Sequence, residues 1–278
     1  MSFLSDTLNR IRGLLSRNKQ LNSAQRDLIL ESNLEKNAMD FFNVPQNYNA
    51  YCQRFFSQEK NFLAQYDYVD LISQMQKNGA MEEYTNYLNY VESNENLYYP
   101  SQVHGVDHTK RVLFFAEMLS MLDNLSNHDR NLVMVAAQLH DIGRENDARA
   151  IDHGKASKEK IEYYGLLRNF SERDQKIIKF VVESHSLEPE QVEMALKNIP
   201  RRDRKDFKRI LDYLQDADKL DRTRIAQPDR QLDPERLATP TAKRLVKVAH
   251  QNFWEFDEVL NYEKQRMTKD AFGINLED

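Results

Sequence analysis

Apolar residues in this chain recur at the three- and four-residue spacing of an α-helix, and no stretch shows the alternation of a half-buried strand. The series Tyr84, Tyr87, Leu88 and Val91 is one example. The 278 residues include only seven glycines and seven prolines, which leaves few breaks for a fold of many short strands. The sequence therefore predicts an all-α fold.

Composition and charge exclude several classes of protein. Hydrophobic residues make up 40% of the chain and charged residues 30%, which is typical of a globular protein. The net charge is −5, and no segment has the basic excess of a dedicated nucleic-acid module. No apolar run approaches the roughly 18 residues of a membrane helix, and the N-terminus lacks a signal-peptide core. We expect a cytoplasmic protein without a membrane span or a nucleic-acid partner; the alternative is a translocated bacterial effector.

Helix start and stop signals become explicit from residue 100 onwards. They predict one helix capped by Asp107 and reaching Leu122, one from Ser126 to Gly143, one after Gly154, one from Ser171 to His185, one with Pro189 in its first turn, and one from Asp203 to Leu220. Pro234 and Pro240 predict a short helix and then a long one near the C-terminus.

The chain is expected to have three parts. Residues 1–99 form an N-terminal helical extension, residues 100–222 a metal-binding core, and residues 223–278 a loop with helices that pack on the core. The extension begins with an amphipathic stretch from Phe3 to Leu15, which we expect to dock on the protein rather than on a membrane. Its aromatic density suits a homodimer surface or a docking face for another protein.

Five of the seven histidines lie between residues 104 and 185, each beside a helix boundary: His104, His108, His140, His153 and His185. Acidic residues accompany them: Asp141 directly follows His140, and Asp216, Asp218 and Asp221 lie in the string DADKLD. His128 and His250 are given no functional role.

Imidazole and carboxylate groups are the metal ligands that this chain offers. Cys52 is the only cysteine, which excludes an internal disulfide and a zinc site built from thiolates. Neutral imidazole with carboxylate suits Mn, Fe, Co, Ni or Zn. His140 and Asp141 lie near the C-terminal end of a predicted helix, where both can reach one ion. His104 and His108 are four residues apart and share a face if one helix includes both.

Three motifs carry a resemblance to a known family. The strings HGVDHTKRV from His104, HDIG from His140 and DADKLD from Asp216 resemble the HD superfamily of metal-dependent phosphohydrolases. The resemblance implies an all-helical core and a first metal bound by His108, His140, Asp141 and Asp218. His153 and His185 match the additional histidines of members with two metals, in which the aspartate of the His-Asp pair bridges the ions. We therefore predict two divalent ions.

Four residues in or near these motifs are assigned catalytic roles. Asp141, Arg144, Lys155 and His104 are the predicted catalytic residues, with Arg144 and Lys155 stabilising charge on a phosphoryl group. For His104 the alternatives are an additional metal ligand, a phosphate contact or a residue at the start of a helix. Arg111 is expected to stabilise the fold through a buried ion pair rather than to contact substrate.

Departures from better-defined subfamilies narrow the expected substrate. Arg144 occupies the position of the acid in the HDxxE nucleotidases and the HDxxED alarmone hydrolases, and the Gly-Tyr-Pro signature of cyclic-di-GMP phosphodiesterases is absent. The chain resembles a branch with HGxxHxxRV, HDIGR, HGxxS and DADxLDR motifs, and the resemblance names no substrate.

The predicted function is hydrolysis of a phosphoester bond in a small, nucleotide-like substrate by metal-activated water, as a phosphatase or phosphodiesterase. One alternative is an HD-fold di-iron oxygenase that uses the same six ligands. The other is a nucleotide-sensing or protein-binding module without turnover. The basic run from Lys197 to Arg209 is interpreted as a solvated helix start, because Asp203 and Asp206 interrupt it.

Overall fold

The computed structural model describes residues 55–56, 58, 63–101, 103–148, 152–225 and 231–272. The predicted amphipathic helix from Phe3 to Leu15 lies outside the described residues, as does Cys52. The described residues form helices and no strand, which confirms the all-α prediction. None of these helices is both long enough and apolar enough to cross a membrane.

Ten α-helices are described: α1 Tyr68–Lys77, α2 Ala80–Ser93, α3 Val106–Leu122, α4 Asn127–Leu139, α5 His153–Tyr164, α6 Glu172–Ser184, α7 Pro189–Leu196, α8 Arg204–Leu220, α9 Pro240–Arg244 and α10 Val246–Phe272. Short 3-10 helices follow α2, α8 and the C-terminal loop, at Glu95–Leu97, Asp221–Arg224 and Pro234–Arg236.

Two of the predicted cap residues start helices as expected. The Ser126 side chain accepts a hydrogen bond from the backbone N–H of Asp129 and begins α4. Ser171 does the same for Asp174 and begins α6. Each satisfies a backbone donor that the first helical turn leaves without a partner.

Three predicted helix boundaries were wrong. Helix α3 is capped by Gly105, and Asp107 lies within its first turn. Helix α4 ends at Leu139 rather than Gly143; His140 keeps helical dihedral angles at the end of this helix, and its ring bonds back to the Ala137 carbonyl. The long helix predicted from Pro240 is interrupted at Leu245, whose backbone N–H donates to the Ala242 carbonyl at 3.0 Å in a tighter, three-residue turn that separates α9 from α10.

The core lies around α3, which packs against α2, α4 and α8. Every residue from Val112 to Met121 is buried, so this helix has apolar neighbours on nearly all sides. Helices α1 and α2 contribute Tyr68, Tyr84 and Leu88 to the same hydrophobic cluster. The described part of the predicted extension is therefore helical and packs on α3. The domain boundaries at residues 99 and 222 remain predictions.

The helix ends determine where the polar residues meet. The first turn of α3, the C-terminal ends of α4 and α6, the first turn of α5 and the last turn of α8 carry the predicted metal ligands. The last turn of α8 is also fixed to the C-terminal segment, because Asp216 accepts hydrogen bonds from the backbone N–H groups of Ala238 and Thr239 and from the Thr239 hydroxyl.

Candidate metal centre

The structure brings all six predicted metal ligands together. His108 comes from α3, His140 and Asp141 directly follow α4, His153 begins α5, His185 directly follows α6, and Asp218 lies in the last turn of α8. Five of the six are buried, and Asp218 is partly buried. The two histidines that were given no role lie elsewhere: His128 is half exposed and pairs with Asp174, and His250 is on α10.

The four histidines form two pairs whose Nε2 atoms face each other. His108 Nε2 lies 3.1 Å from His140 Nε2. His153 Nε2 lies 3.0 Å from His185 Nε2. Asp218 adds a carboxylate to the first pair, with its Oδ1 3.3 Å from His108 Nε2. The centre thus has two halves, each containing two ring nitrogens.

Asp141 lies between the two halves and presents one oxygen to each. Its Oδ2 lies 3.7 Å from His108 Nε2 and 3.8 Å from His140 Nε2. Its Oδ1 lies 3.4 Å from His153 Nε2 and 3.5 Å from His185 Nε2. This is the placement expected of a carboxylate that bridges two ions.

Hydrogen bonds at the opposite ring nitrogen fix the orientation of three histidines. His140 Nδ1 lies 2.8 Å from the Ala137 carbonyl, three residues back in the chain. His185 Nδ1 makes the equivalent bond of 2.7 Å to the Val182 carbonyl. A carbonyl only accepts, so both Nδ1 atoms carry the proton in these contacts. In the neutral rings this leaves a lone pair on each Nε2, directed into the centre.

The third orienting group is Asp221, which sequence reasoning noted among the acids but gave no role. Its buried carboxylate lies 2.7 Å from His108 Nδ1, accepts a hydrogen bond from Arg111 Nε at 2.6 Å and forms an ion pair with Arg224, whose Nη1 lies 3.0 Å away and donates to the Asp221 backbone carbonyl. The expected buried ion pair of Arg111 is therefore confirmed. The signal for Asp221 was its position three residues after Asp218, one turn further along the chain.

Neighbouring groups decide the charge states in this buried site. Burial lowers the pKa of His140 to about 3, which keeps its imidazole neutral and able to bind a cation. Burial opposes ionisation of Asp141, but its neighbours, among them the Arg144 guanidinium 2.7 Å from Oδ2, outweigh burial and hold the pKa of this carboxyl well below its usual value. The centre therefore combines a neutral imidazole at His140 with an ionised carboxylate at Asp141. Burial favours the neutral form of His185 as well, but its contact with Asp141 outweighs burial and raises the pKa of this histidine.

Two glycines permit the close backbone packing around the ligands. A Cβ on Gly143 would lie 2.1 Å from the backbone nitrogen of Ser157, so the turn after Asp141 can pack on α5 only without a side chain. A Cβ on Gly154 would lie 2.6 Å from the Glu183 carbonyl. This contact holds the start of α5 against the end of α6, where His153 and His185 meet.

The remaining predicted site residues lie at different distances from the centre. His104 precedes α3 instead of sharing a helix with His108, yet its Nδ1 lies 3.4 Å from Asp141 Oδ2. Arg144 donates from Nε to Asp141 Oδ2 at 2.7 Å and from NH2 to His153 Nε2 at 3.2 Å. Lys155 is exposed and lines a neighbouring groove, and it does not line the metal pocket.

The pocket above the centre has a volume of about 150 Å³. Besides the ligands it is lined by five basic residues, Arg144, Lys219, Arg222, Arg224 and Arg236. Of these five residues, only Arg144 is predicted from the sequence to be a site residue. Arg224 also donates to the Val103 carbonyl at 2.7 Å and lies 3.4 Å from His104 Nδ1, so it supports the segment before α3.

The residues of this centre fit a divalent transition metal. His104 Nε2 and Asp141 Oδ1 are buried and make no hydrogen bond with any described residue, which is rare for buried polar atoms. The Nε2 lone pairs of His108 and His140 also face each other at 3.1 Å, which a shared cation stabilises. Three overlapping groups of ligand atoms each lie within 4.8 Å: His104 with His108 and Asp141, His108 with His140 and Asp218, and His140 with Asp141 and His185.

Comparison with protein families agrees with this geometry. Residues 105–223 match the family model described as HD domain. The chain contains an HD domain. Domains of this family are mostly metal-dependent phosphohydrolases, and the match covers the segment that supplies all six predicted ligands. Searches of curated proteins and of solved structures found no match for the chain.

Proposed function

We infer that this HD domain is a phosphohydrolase that holds two divalent transition metals and hydrolyses a phosphoester bond in a nucleotide-like substrate. His108, His140 and Asp218 would hold the first ion, and His153 and His185 the second, with Asp141 contributing one oxygen to each. The position of Asp141 between the two histidine pairs is the observation that carries this proposal.

Bound divalent ions supply Lewis-acid chemistry: they lower the pKa of water and neutralise charge on phosphoryl oxygens. The protein's own contribution is to position these groups. Asp221 and the carbonyls of Ala137 and Val182 orient three histidines. Mutation of hydrogen-bond partners of this kind typically lowers metal affinity or activity by about 10- to 100-fold.

The charge of the pocket supports an anionic substrate. Arginine remains cationic at any physiological pH and presents a planar set of donors that matches phosphate oxygens. We assign Arg144 to the phosphoryl group, because its guanidinium lies beside both Asp141 and His153. This lining favours the phosphohydrolase over the di-iron oxygenase, whose diol-like substrate carries no such charge.

His104 keeps two proposed roles. Its unpartnered Nε2 and its place in a ligand group with His108 and Asp141 support an additional metal ligand. Its position in the lining of the pocket supports a phosphate contact. Metal content separates these roles, because His104→Ala lowers the number of bound ions only in the first case.

The experiment that tests the function loads the full chain with Mn, Fe, Co, Ni or Zn and measures bound metal per chain. Hydrolysis is then measured with p-nitrophenyl phosphate, bis(p-nitrophenyl) phosphate, nucleoside mono- and triphosphates, and linear and cyclic dinucleotides. We expect about two ions per chain and turnover of at least one class of phosphoester.

Two outcomes would contradict the proposal. Substrate-dependent oxygen uptake by the iron-loaded protein, without phosphate release, would identify an oxygenase. Saturable nucleotide binding by metal-loaded protein, without product over several days, would identify a binding module.

A further inference from the structure

A second and larger cavity lies beside the metal pocket. It has a volume of about 1080 Å³ and is bounded by α5, α6 and the chain from the end of α7 to the start of α8. Its apolar lining consists of Phe180, Leu187, Ala195, Ile199, Pro200 and Phe207. We call it the side groove.

The side groove borders on the metal centre. Leu187 lines both cavities. Asp152 and Ser184, which line the groove, directly precede the metal-ligand candidates His153 and His185. The start of α5 and the end of α6 therefore contribute residues to both cavities, and Leu187 lies where the two cavities adjoin.

The two cavities differ in size in a way that constrains the substrate. The metal pocket, at about 150 Å³, is well below the roughly 300–1,000 Å³ of typical ligand pockets. The side groove, at about 1080 Å³, is at the upper end of that range. A phosphoryl group held at the metals leaves any larger organic group outside the metal pocket, and the adjoining groove has room for it.

The surface of the groove suits an aromatic or apolar group. Phe180 and Phe207 meet edge to face with their ring centroids 5.4 Å apart, and an aromatic ligand can add to such a pair. Two of the lysines in the lining are neutralised by ion pairs, Lys158 with Glu183 at 2.7 Å and Lys179 with Glu162 at 3.2 Å.

The remaining charges of the groove nearly balance. Lys155 and Lys176 make no ion pair with the described residues, but Asp152 and Glu172 contribute negative charge to the same lining. Arg173 and Arg202 both pair with Asp203 at 3.6 Å. This balance disfavours a polyanion such as a long nucleic-acid strand. Lys155 lies two residues after His153, and it can bind a single anionic substituent of the substrate.

We propose that the side groove binds the organic part of a phosphoester whose phosphoryl group lies at the metal centre, and that this part is large and mainly aromatic or apolar. The proposal rests on the phosphohydrolase function. It places Lys155 against the organic part of the substrate instead of the reacting phosphoryl group.

A series of p-nitrophenyl phosphodiesters tests the proposal. The second ester group is methyl, phenyl or thymidine 5′, so that every substrate releases p-nitrophenolate and only the bulk of the other group changes. Ala195→Trp and Asn198→Trp each place an indole in the groove, since both residues line it. Met194→Trp is the matched control, because Met194 is on the same helix as Ala195 and is 67% exposed outside the groove.

The quantity measured is the ratio of kcat/KM for the thymidine ester to kcat/KM for the methyl ester. We expect a ratio above tenfold in the unmodified protein, a loss of at least tenfold in the two groove variants, and a change of less than twofold in Met194→Trp. A ratio near one in the unmodified protein would overturn the proposal, as would equal effects in all three variants.

Binding of 1-anilinonaphthalene-8-sulfonate, an aromatic anion without a phosphoester, separates failure of the groove from failure of the function. If neither these diesters nor any phosphoester of the functional screen is hydrolysed, but the Kd of this probe rises at least tenfold only in the groove variants, the phosphohydrolase proposal fails and the groove is retained as an aromatic-anion site. If the esters are hydrolysed and neither the ratio nor the Kd changes, the groove proposal fails alone.

Discussion

Helix α3 carries a buried polar residue near each end, and the two differ in the polar partners that surround them. His108, near the N-terminal end, and Glu117, about two and a half turns further on, both have no exposed surface. His108 has Asp221 on one ring nitrogen and faces His140 and Asp218 with the other. Glu117 has no hydrogen-bond partner for either carboxylate oxygen among the described residues.

This difference shows that close partners, and not burial alone, decide whether an acid stays charged. The nearest cation to Glu117 is Arg130 at 3.5 Å, and Arg130 is shared with Glu83 at 2.6 Å. Burial therefore raises the pKa of Glu117 to about 8, against the opposing effect of Arg130. At the metal centre the same depth of burial is outweighed by neighbours, and the pKa of Asp141 falls.

The largest expected effect comes from removing the carboxylate between the two histidine pairs. Asp141→Ala should lose most bound metal and lower turnover by more than roughly 100-fold, since even residues that only orient ligands have effects of that size. Metal analysis by mass spectrometry and phosphate release measure it. The exposed Asp70, in the first turn of α1, gives the control variant Asp70→Asn. Full metal content and turnover in Asp141→Ala would refute the assignment of the centre.

At the other end of α3, Glu117→Gln should stabilise the protein at alkaline pH. The folded state keeps the Glu117 proton up to about pH 8, whereas the unfolded chain loses it near 4.5. Its contribution to stability is fully present below pH 4.5 and is lost as the pH rises to 8, by up to about 1.4 kcal/mol per pKa unit. Glu117→Gln removes this dependence, so its free energy of unfolding should exceed that of the unmodified protein by a few kcal/mol at pH 9.

Urea unfolding at pH 5, 7 and 9 measures this effect. Glu82→Gln, an exposed change in the first turn of α2, serves as the control. Parallel pH profiles for the unmodified protein and Glu117→Gln would show that Glu117 is charged in the folded state, which would remove the contrast between the two ends of α3.

A smaller effect is expected from the group that orients His108. Asp221→Asn should weaken metal binding by about 10- to 100-fold, because His108 loses a charged partner at Nδ1. Asp216→Asn is a matched control, since Asp216 is equally buried but bonds to Ala238 and Thr239 away from the ligands. Competition with a chelator of known affinity measures the metal Kd. Equal losses in both variants would mean that Asp221 acts through folding alone.

The smallest expected effect concerns a helix start that is remote from the metals. Ser171→Ala removes the cap of α6 and should lower the free energy of unfolding by about 1 kcal/mol. The metal Kd should not change, because His185 is at the opposite end of that helix. A change in the Kd comparable to that of Asp221→Asn would show that the centre depends on the whole of α6.

The fold class and the meeting of the six candidate ligands were predictable because their signals are local, whereas metal binding by these residues remains a prediction. Ser126 and Ser171 sit three residues before their backbone partners, and each motif contributes its ligands from a single short string. Helix ends were less predictable. Helix α4 ends at Leu139 although His140 keeps helical dihedral angles, and the periodicity of apolar residues does not reveal that end.

The supporting residues could not be assigned from the sequence, because their partners are distant in the chain. Asp221 meets His108 across 113 residues and Arg111 across 110. Arg224 meets Val103 across 121 residues. The side groove was equally hidden, since Phe180 and Phe207 come from different helices and meet only after packing. A cluster of acids at the end of a predicted helix indicates a site, but the family resemblance was needed to select Asp218 as the ligand, and nothing local assigned Asp221 to His108.

His140 and His185 each follow the last residue of a helix and bond back three residues, so their directions are set by how many residues those helices contain. One residue added to or removed from the interior of α4 or α6 would swing the terminal imidazole by about 100° around the helix axis. Such an insertion or deletion would disable the site even if the hydrophobic packing recovered. The lengths of these two helices are therefore constrained by the direction in which the imidazoles at their ends must point for the candidate ligands to meet.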